Sequence, residues 1–169
     1  MRPVLLIAVS VLALTACGTT KTTTAVKRPT KAQYIAESDA ICRAGRLERK
    51  PLLSEARANV LAARRGALSG SAQAAEKEAA SLLLRNTALI RAEDARLRKL
   101  PEPPGEGRTI EQLRKNASEG LANGDKVANA LAKDELTAAG ADVAAGRTAA
   151  ASGERLARQY GFKVCDTPG

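Results

Sequence analysis

Two long stretches of the chain, one on each side of a proline-rich break, place most of their apolar residues alternately three and four positions apart. The seam before the break consists of Ala79, Leu83, Asn86, Ile90, Glu93, Leu97 and Leu100. The seam after it consists of Ile110, Leu113, Ala117, Gly120, Gly124, Val127 and Leu131. This spacing puts each set on one face of an α-helix, where it packs against a neighbouring helix. Prolines and a glycine within residues 101–105 end the first helix, so the two are predicted to lie antiparallel.

A helical arm is predicted on each outer side of this central pair. The first begins at a capping box formed by Thr30 and Gln33, and Pro51 interrupts it. Two alternatives follow: a kinked helix that continues to about residue 65, which the apolar pattern favours, or a break near residue 49. The last helix begins after residues 133–135 and ends at Gly161, a residue suited to a left-handed C-terminal stop. A second capping box is predicted at Thr109 and Gln112, at the start of the third helix.

Four arms joined by short turns predict an all-α fold. We expect an antiparallel four-helix bundle of up-down-up-down topology over residues 31–169, with the first helix kinked or broken at Pro51. Aromatic residues make up only 2% of the chain, and alanine is abundant. The core is therefore expected to consist of small side chains.

The first seventeen residues predict where in the cell the protein is located. Arg2 precedes an apolar run from residue 4 to residue 14, which is too short for the roughly 20 residues that span a bilayer but suits a secretory signal. The run ends in Leu14-Thr15-Ala16-Cys17, which resembles the bacterial lipobox. The resemblance implies a signal peptide over residues 1–16, a diacylglyceryl group on Cys17 and a membrane-anchored protein outside the cytoplasm. Residues 17–30 would then form the lipidated cysteine and a flexible tether.

With Cys17 lipidated, Cys42 and Cys165 remain as an even pair in an exported chain. A disulfide between them is the default in that compartment, and the alternative is two free buried thiols. In an up-down-up-down bundle, the start of the first helix and the end of the fourth share one end. The only aromatic residues, Tyr34, Tyr160 and Phe162, map to that same end. We therefore expect the disulfide and the aromatic side chains to form one cluster.

Several short motifs suggest a family. They are Tyr34-Ile-Ala-Glu-Ser-Asp-Ala-Ile-Cys42, the pair Pro103-Pro104, the pair Gly124-Asp125, and Tyr160-Gly-Phe-Lys-Val-Cys165. Together they resemble a group of small secreted actinobacterial lipoproteins of unknown function. The resemblance covers most of the predicted mature chain and implies that Cys42 pairs with Cys165. It implies no activity.

The sequence predicts neither an enzyme nor a cofactor-binding protein. Histidine is absent, which excludes Ser-His-Asp triads and the Glu-x-x-His type of di-iron site. Phosphate-binding loops, dinucleotide-binding glycine patterns and zinc-ligand spacings are also missing, so no catalytic residue or metal ligand is assigned. Glu93 is an acidic residue on an apolar seam. Either it pairs with an arginine of another helix, or it is a polar contact that lines a ligand cavity.

Basic residues recur on the first helix. Arg43, Lys50, Arg57 and Arg64 follow one another at intervals of seven, with Arg46 and Arg65 beside them. We call these six residues the basic stripe. If the helix is continuous, the stripe forms one positive face that would bind anionic lipid or an acidic wall polymer. The alternative is a solvated face with glutamate partners inside the protein. Nucleic acid is not expected as a partner, since stacking aromatic residues are missing.

Two functions therefore remain open. The first is a non-enzymatic interaction or structural module of the cell envelope with an unidentified protein partner or an anionic surface. The second is a carrier of a small ligand or lipid. An open apolar cavity of several hundred Å³ would favour the carrier. A solid core with a coherent basic stripe would favour the interaction module.

Overall fold

The computed structural model describes residues 28–65 and 70–165. Four α-helices account for most of these residues: α1 (Lys31–Arg65), α2 (Gly70–Leu97), α3 (Gly107–Ala132) and α4 (Leu136–Tyr160). The predicted signal peptide, Cys17 and nearly all of the tether lie outside the described residues. No helix in the described ranges combines the length and the hydropathy that a membrane span requires.

Helix α1 continues through Pro51, so the predicted continuation to residue 65 is confirmed and the break near residue 49 is wrong. The predicted capping box is confirmed, because Thr30 N–H donates to Gln33 Oε1 at 2.8 Å and Gln33 N–H donates to Thr30 Oγ1 at 3.2 Å. Pro51 and Leu47 both lie on the exposed side of the helix. Water can therefore reach the Leu47 carbonyl, which the proline ring deprives of its helical donor. The helix remains continuous at Pro51 because the carbonyl that lacks a helical donor is accessible to water.

The predicted capping box at Thr109 is wrong, because α3 begins two residues earlier. Glu106 is the N-cap residue, and its side chain makes no capping hydrogen bond. Gly105 adopts a φ of 81°, and Glu106 N–H donates to Pro103 O at 3.3 Å, which closes a turn immediately before the helix. Ile110 N–H then donates to Glu106 O at 3.1 Å. The tight turn leaves Thr109 inside the first helical turn.

The helices form the predicted antiparallel bundle, but the ring of contacts around it is not complete. Helix α1 packs on α2, α2 packs on α3, and α3 packs on α4. Among the described residues, no Cα of α1 lies within 8 Å of a Cα of α4. The bundle is therefore open along the side where α1 and α4 face each other.

Two apolar clusters hold the two ends of the bundle together. One cluster contains Tyr34, Ile110, Ala157, Tyr160 and Phe162, with Leu113 and Cys165 packed against it. At the other end lie Ala79, Ala80, Ala130, Leu131 and Ala139. The second cluster is mostly alanine, which agrees with the small-residue core expected from composition. The middle of the bundle, between the clusters, lies beside the open side.

The predicted disulfide is confirmed between Cys42 and Cys165, whose Cα atoms are 5.4 Å apart. It closes a loop across a sequence separation of 123 residues. A loop of that length is expected to stabilise the fold by about 4–5 kcal/mol in the chain-entropy account. The aromatic cluster is also confirmed, with the Tyr34 and Tyr160 ring centroids 6.3 Å apart and those of Tyr160 and Phe162 5.2 Å apart.

The end of α4 explains how Cys165 reaches α1. Gly161 adopts a φ of 114°, and Phe162 N–H donates to Ala157 O at 3.1 Å, as in a Schellman motif. The predicted glycine stop is therefore confirmed. The turn directs residues 162–165 away from the axis of α4 and across the end of the bundle. This C-terminal segment connects α4 to α1 beside the contact between Tyr34 and Tyr160, although no Cα atoms of the two described helices lie within 8 Å of each other.

Candidate functional site

A groove of about 620 Å³ runs along the open side of the bundle, between α1 and α4. We call it the α1–α4 groove. Its floor comes from α2 and α3, and most of its lining is apolar, including Leu53, Leu83, Ile90, Leu113, Val127 and Val143. Its volume falls in the range of about 300–1,000 Å³ that is usual for small-molecule sites. The groove is therefore a candidate ligand site.

Glycines on α4 explain why this helix lies close to α3. A Cβ atom added to Gly153 would lie 3.3 Å from Asn116 Cβ, and one added to Gly146 would lie 3.5 Å from Asn123 Cβ. The lack of side chains at these positions lets α4 settle on α3. Half of the α4 residues that line the groove are alanine or glycine, and the others are Asp142, Val143, Arg147 and Glu154.

Gly120 and Gly124, one turn apart on α3, have different surroundings. A Cβ on Gly124 would contact Thr87 Cγ2 at 3.5 Å, an ordinary van der Waals distance, whereas a Cβ on Gly120 would meet nothing within 4 Å. Neither glycine is therefore required by the close approach of a neighbouring backbone. Gly120 lines the groove and adds no side chain to it.

An ion pair in the groove wall joins α1 to α2. Glu93 accepts a hydrogen bond from Arg49 Nη1, and both side chains are buried. Gly45 makes the pair possible, because a Cβ there would lie 1.8 Å from Glu93 Oε2. The predicted pairing of Glu93 with an arginine of another helix is confirmed. Arg49 and Glu93 also both line the groove, and a role for them as contacts to a ligand stays a prediction.

Three residues of α2 bring polar groups to the floor of the groove. Burial raises the pKa of Glu93, and the neighbouring Arg49 opposes that rise. One heptad earlier, Asn86 Oδ1 is buried and accepts no hydrogen bond among the described residues. Thr87, by contrast, satisfies its own hydroxyl by donating to Leu83 O at 2.6 Å. Asn86 also lines the groove, so an acceptor without a partner in the described part of the protein lies close to its surface.

The disulfide and Asp39 build one end of the groove. Cys42, Val164 and Cys165 line that end. Asp39 Oδ1 accepts the N–H groups of Val164 at 2.9 Å and Cys165 at 3.0 Å, and Oδ2 accepts the Lys163 N–H at 2.9 Å. Sequence reasoning assigned Asp39 no role. The only signal was its position, one helical turn before Cys42 on the same side of α1.

The structure separates the residues of the basic stripe into two groups. Arg43, Lys50, Arg57, Arg64 and Arg65 are exposed. Arg46 is half-buried, donates a hydrogen bond to the Val164 carbonyl and lines the groove. None of the ion pairs among the described residues involves any of the five exposed members. Because α1 is continuous, the heptad spacing places those five on one coherent face.

The described residues contain no cluster of three or more histidine, cysteine, aspartate or glutamate side chains suited to a metal ion. No protein-family model matches the chain, and no curated protein or solved structure matches it either.

Proposed function

We propose that this protein is an extracytoplasmic lipoprotein that binds a small amphipathic molecule, such as a single-chain lipid, in the α1–α4 groove. The observation that carries the proposal is the separation of α1 from α4, which leaves an apolar-lined groove of about 620 Å³ open to the surface. A bundle whose fourth side packed like the other three would have no such space. The groove thus favours the carrier over a module with a solid core.

The chemistry of the lining suggests which ligands would fit. Leucine, isoleucine and valine side chains provide contacts for an alkyl chain. Polar groups stand among them, which is the pattern of sites that orient an amphipathic molecule. They include Asn86, the Arg49–Glu93 pair and the charged α4 residues Asp142, Arg147 and Glu154. We therefore expect a ligand with one long apolar part and a polar group able to donate a hydrogen bond.

The envelope location rests on the sequence of residues 14–17 and on its resemblance to a lipobox. The motif resemblance to small actinobacterial lipoproteins agrees with this location. Metabolic labelling with a palmitate analogue tests it. The wild-type chain is expected to incorporate label, and Cys17→Ala is expected to lose it. Equal labelling of both chains would contradict the anchor without affecting the groove.

Ligand binding is tested with cis-parinaric acid, a naturally fluorescent fatty acid, and a pair of matched glycine variants. Gly120→Leu places a side chain in open space within the groove, whereas Gly140→Leu places one in open space on α4 away from the groove lining. Both variants gain similar helix propensity, about 1 kcal/mol. The account predicts that Gly120→Leu weakens binding by about tenfold or more, equivalent to about 1.4 kcal/mol. Gly140→Leu should bind as the wild type does.

Absence of binding by the wild-type protein would contradict the carrier function. Equal binding by the two leucine variants would show that the probe binds elsewhere on the protein. Circular dichroism and the disulfide content of each variant establish that both retain the fold.

A second function is favoured by the five exposed members of the basic stripe, none of which takes part in an ion pair among the described residues. It is attachment to an anionic surface, either lipid or an acidic wall polymer, by exposed and salt-sensitive attraction. Changing Arg43, Arg57 and Arg64 together to glutamate is expected to abolish binding to purified wall polymer and to anionic vesicles. Undiminished binding to both would exclude this role.

A further inference from the structure

Two leucines lie in solvent on the same face of α1 as the basic stripe. Leu47 is 70% exposed and Leu61 is 46% exposed. Leu47 follows Arg43 by one helical turn, and Leu61 follows Arg57 in the same way. Since Arg43 and Arg57 are themselves two heptads apart, all four residues lie on one side of the helix. Exposed leucines therefore alternate with exposed arginines along the outer surface of α1.

Acidic residues of α1 lie elsewhere on its surface. Glu48 directly follows Leu47, and an advance of one residue turns the helix by about 100°. Glu55 lies two residues before Arg57, on the far side of the helix from it. Asp39, near the start of α1, is buried against the C-terminal segment. The outer face thus combines positive charge with apolar side chains and carries no exposed carboxylate between residues 43 and 64. We call it the basic-leucine face, defined as Arg43, Leu47, Lys50, Arg57, Leu61 and Arg64.

We propose that the basic-leucine face lies flat on an anionic lipid bilayer, with Leu47 and Leu61 inserted at the boundary between headgroups and acyl chains. This inference rests on the second proposed function and names its surface. An acidic polymer would satisfy the arginines alone, because it offers no apolar phase. Of these two surfaces, only a bilayer both pairs with the cations and removes the leucines from water.

This orientation places the mouth of the groove beside the membrane. Arg46 and Leu53 line the groove from α1. Each lies one helical turn from Lys50, which belongs to the basic-leucine face. The face and the groove rim are therefore neighbouring surfaces of one helix. An amphipathic ligand leaving the bilayer would meet the groove without crossing bulk water.

The protein contains no tryptophan, so single tryptophans introduced at exposed leucines act as specific reporters. Leu47→Trp and Leu61→Trp place the reporter on the face, and Leu84→Trp places it at an exposed leucine of α2 as the matched control. Each chain, purified from membranes with its anchor, is reconstituted into vesicles of phosphatidylcholine with or without phosphatidylglycerol. Brominated acyl chains in the same vesicles quench a tryptophan that enters the bilayer.

The expected result is a blue shift and a loss of emission for Leu47→Trp and Leu61→Trp in vesicles that contain phosphatidylglycerol. The same variants in phosphatidylcholine alone, and Leu84→Trp in either vesicle, should show neither change. Equal emission from all three reporters would overturn the bilayer proposal. If wall polymer still binds and the triple glutamate change abolishes that binding, the stripe keeps its proposed role while its placement on lipid fails. If neither surface binds, both proposals fail.

Discussion

The carboxylate of Asp39 accepts a hydrogen bond from the backbone N–H of Cys165 at 3.0 Å. Asp39 lies one helical turn before Cys42 on α1, and Cys42 forms the disulfide with Cys165. The same carboxylate accepts the N–H groups of Lys163 and Val164. Because α1 and α4 do not pack closely on each other, this segment and the aromatic cluster join the two helices at one end. Asp39 therefore holds the C-terminal segment where the disulfide forms.

Replacement of Asp39 by alanine is expected to lower the free energy of unfolding substantially. The change leaves three partly buried backbone donors without their carboxylate, and hydrogen bonds to charged groups contribute about 1.5–3 kcal/mol each. Since the disulfide still holds the segment nearby, we expect a total loss of about 2–4 kcal/mol in urea unfolding. Glu37→Ala, an exposed change on the same helix, should alter stability by less than about 0.5 kcal/mol. Equal effects of the two changes would refute the role of Asp39.

Gly45→Ala is expected to destabilise the protein although alanine favours helix. The new Cβ would overlap Glu93 Oε2, whose position is fixed by its buried pair with Arg49. We expect a loss of about 1–3 kcal/mol from the displaced pair. Gly120→Ala, where the Cβ meets nothing within 4 Å, should instead gain about 0.5–1 kcal/mol.

A double-mutant cycle identifies the cause of that loss. In a Glu93→Ala background only the contact with the flexible end of Arg49, 2.9 Å from the new Cβ, remains, so Gly45→Ala should become much less destabilising. If Gly45→Ala costs the same in both backgrounds, the buried ion pair is not the reason for glycine at this position.

Parts of the fold could be predicted from the sequence because they depend on local signals. The four helices follow from apolar spacing and proline breaks, and the stop at Gly161 follows from glycine's access to positive φ. The pairing of Cys42 with Cys165 followed from counting cysteines and from the topology. The start of α3 was misplaced because Thr109 and Gln112 imitate a capping box, whereas the turn at Gly105 decides where the helix begins.

The two tyrosines of the chain are expected to ionise at a higher pH than tyrosine in an unfolded chain. Burial raises the pKa of Tyr160 to about 12, with Glu106 and Tyr34 adding to the rise, and burial also raises the pKa of Tyr34. The pKa of Tyr160 is 10 in the unfolded chain and about 12 in the folded protein. Its neutral ring therefore contributes to the free energy of unfolding fully below pH 10, and this contribution is lost as the pH rises through about 12.

A spectrophotometric titration of phenolate absorbance follows both groups without interference, since the protein has no tryptophan. The native protein should show little ionisation at pH 10, and protein unfolded in urea should be about half ionised there. Identical curves for the two states would contradict the burial of these rings.

Glu76→Gln is expected to stabilise the protein at neutral pH. Burial raises the pKa of Glu76, and Asp134 in the turn between α3 and α4 raises it further. The folded state thus favours the protonated carboxyl, so its stabilising contribution is present below the unfolded pKa of 4.5 and is lost as pH rises through the higher folded pKa. Glutamine keeps the neutral form at every pH. Urea midpoints should therefore differ at pH 7 and converge near pH 4, and Glu78→Gln, an exposed neighbour, should show no such difference.

The groove and the role of Asp39 could not be predicted from the sequence, because both depend on distances between helices. The seams around Asn86 and Gly120 resemble those of a closed bundle, and periodicity does not report that α4 settles against α3 rather than α1. Similarly, heptad spacing identified the stripe, but only the side-chain exposure of Leu47 shows that apolar residues share its face. Sequence patterns specify which face of a helix is apolar, and packing decides whether that face is covered.

The most direct test of the central claim is an NMR titration of the protein with a fatty acid, followed at the glycine amides. Gly120, Gly124, Gly146 and Gly153 line the groove, whereas Gly70 and Gly140 do not. If the groove binds the fatty acid, saturable shifts are expected at the four groove glycines and unchanged signals at the other two. No shift at any of them, or equal shifts at all six, would contradict a ligand site between α1 and α4.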